Sequence, residues 1–324
     1  MQMITVTSNE AEQRLDKLLA KYLNLAGKGF IYKMLRKKNI TLNDKKADGS
    51  EKLVQGDVVK LYFSDETILK FTKPVSDFSE TAPQLDILYE DEHLLILNKP
   101  AGILSQKAKE EDVSVVEQII AYLLQTGQLT REQLRSFKPS VCNRLDRNTS
   151  GIIVAGKSLT GLQAMSRMFK ERAMDKYYLC IVKGRMEKGS RIQGYLKKDE
   201  ERNQVAVSKV QTDGSLPIET EYTPLCAGRG MTLLRVKLIT GRSHQIRAHL
   251  ASIGHPIGGD SKYGEERLNR LLRERYGIRS QLLHSYRLVM PAMEPPLGQV
   301  SRKVFEAPVP ACFKKVMDGE GLTL

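Results

Sequence analysis

Three clusters of side chains in this 324-residue chain have the types and spacing for chemistry. The densest is Asn143-Arg144-Leu145-Asp146-Arg147-Asn148-Thr149-Ser150-Gly151, followed at once by the apolar run Ile152-Ile153-Val154-Ala155. A carboxylate on a loop that feeds a buried strand is well placed to act as nucleophile or base, because the strand fixes the loop that presents it. Arg144 and Arg147 flank Asp146, with charge to hold it ionised and to meet phosphates. Thr149 and Ser150 are expected to tie the loop through side-chain to backbone bonds, and Gly151 to take a backbone geometry that other residues resist. The same features also describe a plain hydrogen-bonded turn organised by its aspartate.

The second cluster is Thr240-Gly241-Arg242-Ser243-His244-Gln245-Ile246-Arg247-Ala248-His249-Leu250. Ile246, Leu250 and Ile253 recur at helical spacing, so a helix is expected, opened by Thr240-Gly241-Arg242-Ser243, whose hydroxyls can cap exposed amides. Its amide end would favour an anion. Arg247 serves either a site or an ordinary surface ion pair. His244 and His249 stand five apart, the wrong phase for two ligands on one helical face, so structural hydrogen bonding is expected and no metal site. The third cluster, Lys176-Tyr177-Tyr178-Leu179-Cys180-Ile181-Val182, reads as a strand whose two tyrosines point to opposite faces. The inward one is core or a surface on which a base can stack. Cys142 adjoins the first cluster, but no Cys-His pairing marks it as a nucleophile.

The elements around these clusters form an α+β pattern. Helices are expected near 113–125, 158–171, 242–253 and 264–276, and strands near 152–156, 177–182, 204–209, 219–226, 231–239 and 284–289. They do not alternate as a doubly wound sheet would, so a mixed, largely antiparallel sheet is expected. Ahead of them, Asp86 to Gly102 reads as two strands joined by an acidic turn. Residues 64–84 carry Pro74, Pro83 and scattered Ser, Thr and Asp without periodicity, the composition of a linker. The expected organisation is a small α+β domain over 1–63, a linker over 64–84 and a large domain over 85–324.

The composition places 51 Lys and Arg against 38 Asp and Glu, a net charge of +13 that attracts polyanions. The charge is concentrated near the start. From Lys17 to Asn43 there are seven basic residues, including Lys28, Lys33, Arg36, Lys37 and Lys38, and no acidic one. In the expected helix around Leu15, Leu18, Leu19 and Tyr22, and in the next around Phe30, Ile31, Met34 and Leu35, one face packs and the basic face stays free. Unmixed charge of this kind favours a phosphate-contacting face over a merely solvated one. No apolar run spans a bilayer and the start has no signal-peptide pattern, so a cytoplasmic protein with no membrane contact is expected. Four scattered cysteines read as reduced thiols, and the absence of a P-loop or dinucleotide fingerprint argues that chemistry comes from side chains with no cofactor.

Residues 12–63, with QRLDKLL, the basic second helix, ITLNDKKADGSEKLVQGD and VVKLYF, resemble the S-four-type RNA-binding domain, or alpha-L motif. That resemblance implies binding to structured RNA through phosphates, with Arg14, Lys28, Lys33, Arg36, Lys37 and Lys38 as contacts. The order NKPAG, RLDRNTSG, KYYLCIVKG, TGRSHQIRAHL with GHPIGGDSKYG, and LLHSYRL resembles the RluA-type pseudouridine synthases over almost all of residues 85–290. It implies isomerisation of uridine in large-subunit ribosomal RNA, with Asp146 as catalytic aspartate, Tyr178 as active-site tyrosine and Arg247 as the arginine that pairs with the aspartate. Lys99, Arg144, Leu145, Arg147, Thr149, Ser150, Gly241, His244 and Gln245 are expected to support loop and substrate. Asn143 and Asn148 depart from a pattern that usually has His and Asp there, which bears on the hydrogen bonding of the loop. A monomer is expected. The competing readings are a non-catalytic RNA-binding factor of ribosome assembly and a transfer-RNA enzyme of the same chemistry.

Overall fold

The computed structural model describes residues 1–7, 9–73, 83–199, 201 and 203–323. The chain opens with β1 (Gln2–Thr5), α1 (Leu15–Tyr22), α2 (Lys28–Arg36), β2 (Ile40–Leu42), β3 (Lys45–Lys46), β4 (Val58–Leu61) and α3 (Asp65–Phe71). The strands form a small antiparallel sheet in the order β1-β4-β2-β3. Its core is the stripe foreseen in α1, Leu15, Leu18, Leu19 and Tyr22, packed with Ile31, Met34 and Leu35 of α2. Burial of each such side chain contributes about 1.5–3 kcal/mol. The segment expected as linker opens instead with α3, capped by Ser64 and holding Ile68 in this core. Phe71 stacks on Phe30 at 4.1 Å, so an aromatic pair extends the first body past residue 63. The linker's Pro74 lies outside the described residues.

The second body begins with β5 (Ile87–Glu90), β6 (Leu94–Lys99), α4 (Val115–Gln125), β7 (Ser140–Val141), β8 (Ser150–Gly156) and α5 (Leu159–Glu171). It continues through β9 (Asp175–Lys183), β10 (Ser190–Asp199), β11 (Gln204–Ser208), β12 (Leu216–Ala227) and β13 (Met231–Leu238). It closes with α6 (Gln245–Ser252), α7 (Glu266–Tyr276), β14 (Leu283–Val289), β15 (Val304–Glu306) and α8 (Ala311–Glu320). One sheet of 11 strands runs in the order β11-β10-β12-β13-β9-β14-β8-β6-β5, with β15 added to β14 and β7 to β8. Every pairing is antiparallel except β14 with β8, where His284 meets Ser150 and Ser285 meets Gly151. The mixed, largely antiparallel sheet expected from the sequence is therefore present.

Alternation in β6 divides the core. Leu95 and Leu97 join α4, α6 and the inner residues of β9 and β13, whereas Leu94 and Ile96 face Met165 of α5. β8 is buried along its whole length between β6 and β14. Where it enters the sheet, Gly151 has φ 112°, and a Cβ there would lie 2.1 Å from the Ser285 carbonyl oxygen. Only glycine fits. The two bodies touch through polar contacts: Ser136 Oγ donates to Glu10 Oε1 at 2.5 Å and Arg135 Nη1 to the Tyr22 hydroxyl at 3.2 Å. Among the described residues no helix is long and apolar enough to cross a membrane.

Candidate active site

The loop between β7 and β8 carries Asp146, and three neighbours hold its backbone. Ser105, after β6, donates through Oγ to the Leu145 carbonyl at 2.8 Å and accepts the Leu145 N–H at 3.0 Å. Lys99, at the end of β6 and 1% exposed, donates to the carbonyls of Pro100, Ile103 and Arg147 at 2.8, 2.9 and 3.0 Å. Three acceptors match the three donors of an ammonium. Burial pushes the Lys99 pKa down to about 7, against the pull of Asp146. The Thr149 N–H closes a turn onto the Asp146 carbonyl at 3.0 Å. Asn143 donates to the Ile152 carbonyl and accepts the Val154 N–H, so it binds the loop to β8.

Two expectations for this loop are corrected. Thr149 and Ser150 do not bond to loop backbone through their side chains. Thr149 Oγ1 accepts from Gln281 Nε2 at 3.2 Å, and Ser150 Oγ pairs with His284 Nδ1 at 2.8 Å, so both tie the loop to the start of β14. Nor do the flanking arginines hold Asp146. Arg147 points to Asp112 at 3.7 Å and Arg144 is exposed at the cavity mouth. The cation on Asp146 is Arg247, 101 residues on, whose Nη1 donates to Oδ2 at 2.6 Å. Leu145 packs into the core beside the aspartate, while Arg144 and Arg147 on either side are exposed.

Arg247 is itself held on two further sides. Asp260, with no solvent exposure, accepts from its Nε at 2.7 Å and its Nη2 at 2.8 Å. The Tyr263 ring lies 5.2 Å from the guanidinium carbon. This two-pronged fork leaves Nη1 for Asp146. Burial works against the Arg247 charge, but Asp260 and Asp146 more than offset it and raise its pKa. Burial likewise opposes the Asp260 charge, and Arg247 with the Lys262 and Tyr263 N–H groups brings its pKa below the usual range. Asp260 and Tyr263 were not singled out in the sequence, although both stand in the quoted GHPIGGDSKYG.

The start of α6 also differs from expectation. The hydroxyls of Thr240 and Ser243 do not cap the helix. The Gln245 side chain instead accepts from the Arg242 N–H at 3.1 Å and the Thr240 hydroxyl at 2.8 Å, while donating to the Glu219 carbonyl. His244 precedes the helix with φ 54°, a left-handed conformation uncommon outside glycine. Gly241 is open, with only Lys176 Nζ at 3.7 Å from a would-be Cβ. His249 is buried, with Nδ1 3.0 Å from Thr220 Oγ1.

Tyr178 is the inward tyrosine of β9, hydrogen-bonded to Ser285 and lining the cavity. Burial raises its phenol to about 12, so it carries its proton at neutral pH. Tyr177 lies on the opposite sheet face beside Lys237. Asp146, Tyr178, Arg247 and His244 thus line one cavity of about 640 Å³ with Arg144, Arg147, Arg242 and Lys107. Arg242 Nε is buried without a partner among the described residues. A carboxyl group held by an arginine, an aromatic wall and several lining cations suit a flat base attached to a phosphodiester chain. Away from the cavity, Lys28, Lys33, Arg36, Lys37 and Lys38 are exposed on and after α2, whereas Arg14 forms a fork with Asp16 at 3.1 and 3.2 Å.

Residues 93–252 match the family described as RNA pseudouridylate synthase. The chain is 30% identical to the ribosomal large subunit pseudouridine synthase C of Escherichia coli (strain K12), over 98% of this chain and 96% of that one. It is 31% identical to the protein of the same name from Haemophilus ducreyi, over 88% and 86%. The fold resembles human RNA pseudouridylate synthase domain containing 4, with a TM-score of 0.59 at 20% identity, covering 74% of this chain and 94% of that one.

Proposed function

The chain belongs to the RNA pseudouridylate synthase family, and from that premise we propose that it isomerises particular uridines of large-subunit ribosomal RNA, with Asp146 as its catalytic residue. The observation that carries the assignment of Asp146 is its position in the cavity, 26% exposed and aimed by the Arg247 Nη1 at 2.6 Å. The target follows the names of the relatives from Escherichia coli and Haemophilus ducreyi.

In the reaction the bond from uracil N1 to C1′ of the ribose breaks, the uracil turns while held, and C5 bonds to C1′, giving up its proton as N1 takes one up. Nothing is oxidised. Asp146 acts as nucleophile or base on the nucleoside, and Arg247 directs its carboxylate. Tyr178, a neutral phenol, supplies a wall for the turning base. The uridine has to leave its stack to reach the floor of the cavity, and Arg242 and Arg144 at the mouth take the adjoining phosphates. The exposed cations of α2 add contacts that carry no sequence information.

The test maps pseudouridine across ribosomal and transfer RNA in a deletion strain complemented with the wild type or with Asp146→Ala. The expected result is loss of particular large-subunit positions, restored by the wild type alone. Loss confined to transfer RNA keeps the chemistry and moves the target. Rescue by Asp146→Ala, or an unchanged map, overturns the assignment and favours an RNA-binding assembly factor.

A further inference from the structure

His244 has a geometry that the roles above do not use. Its side chain is 11% exposed and lines the cavity, with Nε2 3.9 Å from Asp146 Oδ2, too far for a hydrogen bond. Its Nδ1 lies 2.9 Å from the Tyr263 hydroxyl oxygen, and the rings meet edge to face at 5.7 Å. That hydroxyl already accepts the Val205 N–H of β11 at 2.8 Å. Its own proton therefore goes to Nδ1, which makes Nδ1 the acceptor and leaves the imidazole proton on Nε2. The opposite tautomer would strand the phenol proton and turn the Nε2 lone pair toward a carboxylate.

Resting on the assignment of this cavity to uridine, we propose that His244, as a neutral imidazole, donates from Nε2 to a carbonyl oxygen of the bound uracil, with Tyr263 as the positioning residue that fixes the tautomer. The chemistry calls for such a donor whichever route Asp146 takes. If the N1–C1′ bond breaks first, its electron pair leaves on the uracil and spreads over O2 and O4. If Asp146 adds to the base, the electrons of the opened double bond move to O4. A fixed N–H near these oxygens stabilises the charge as it develops. Burial keeps the imidazole neutral by lowering its pKa; Asp146 and Asp260 oppose that, while Arg247 and Lys262 add to it. The left-handed backbone at His244 sets the ring at this angle, a strained conformation held where it is used.

Long-range nitrogen–proton correlation spectra of the full-length protein are expected to show His244 protonated on Nε2 at neutral pH, and mixed tautomers in Tyr263→Phe. In single-turnover assays on RNA that the wild type modifies, His244→Ala is expected to slow pseudouridine formation about 100-fold with RNA affinity unchanged. His244→Gln, whose amide nitrogen reaches the place of Nε2, should regain about tenfold of that. An Nδ1-protonated His244, or His244→Ala at the wild-type rate, overturns the proposal. A wild-type protein that modifies no RNA removes the uracil contact together with the function assigned to the cavity, and the substrate-free spectrum tells that failure apart.

Discussion

At the residue scale the site is a chain of charges: Asp146 on the cavity side, Arg247 behind it, Asp260 behind that. The outer carboxylate never reaches the cavity, yet it decides which nitrogen of the guanidinium does. Asp260→Asn keeps the shape and removes the charge, and it is expected to lower the single-turnover rate 10- to 100-fold with RNA affinity within about twofold. Asp260→Ala leaves a buried guanidinium without its fork and should cost about 3–5 kcal/mol in urea unfolding. That Asp146, Tyr178 and Arg247 share one cavity was legible because ordered motifs mark them. Asp260 was not, since an aspartate after two glycines reads as a turn residue until the loop is folded beneath α6. The flanking arginines misled for a related reason: neighbours in sequence need not face the same way, and only the fold shows that Asp146 turns inward.

At the element scale the joint between β8 and β14 positions the Asp146 loop. Gly151→Ala would set a Cβ 2.1 Å from the Ser285 carbonyl oxygen at an unfavourable φ, and a loss of about 3 kcal/mol is expected by urea unfolding. His284, bonded to Ser150 across the same joint, is fully buried, and burial lowers its pKa to about 4. The unfolded chain therefore binds a proton near pH 6.5 that the folded one refuses. Stability should fall as pH drops from about 6.5 toward 4, by at most about 1.4 kcal/mol per unit. His284→Asn, which keeps a polar atom at the place of Nδ1, should flatten that slope; equal slopes would exclude His284 as its source. Strands with apolar runs, such as β8 and β13, were legible from sequence. β10, with the mostly exposed SRIQGYLKKD, was not, because a strand that buries little shows no alternation.

At the scale of the whole molecule, a net charge of +13 meets a particular distribution, with exposed cations of α2 on one body and a cationic cavity mouth on the other. Replacing Lys33, Arg36 and Lys37 together with alanine is expected to weaken RNA binding at low salt and to reduce the salt dependence of log Kd by about 2 to 3. The rate at saturating RNA should stay unchanged, because none of the three approaches Asp146. The N-terminal helices were legible from their periodicity and charge, but the polar contact of Glu10 with Ser136 had no signature, being two ordinary residues that meet only in space. The parallel pairing of β14 with β8 has a consequence in time. Ser150 finds His284 only after a further 134 residues have been made, and Asp146 finds Arg247 after 101. For those 101 residues of synthesis the emerging chain carries its aspartate without the arginine that directs it, so the chemistry proposed for Asp146 waits on the later part of the chain.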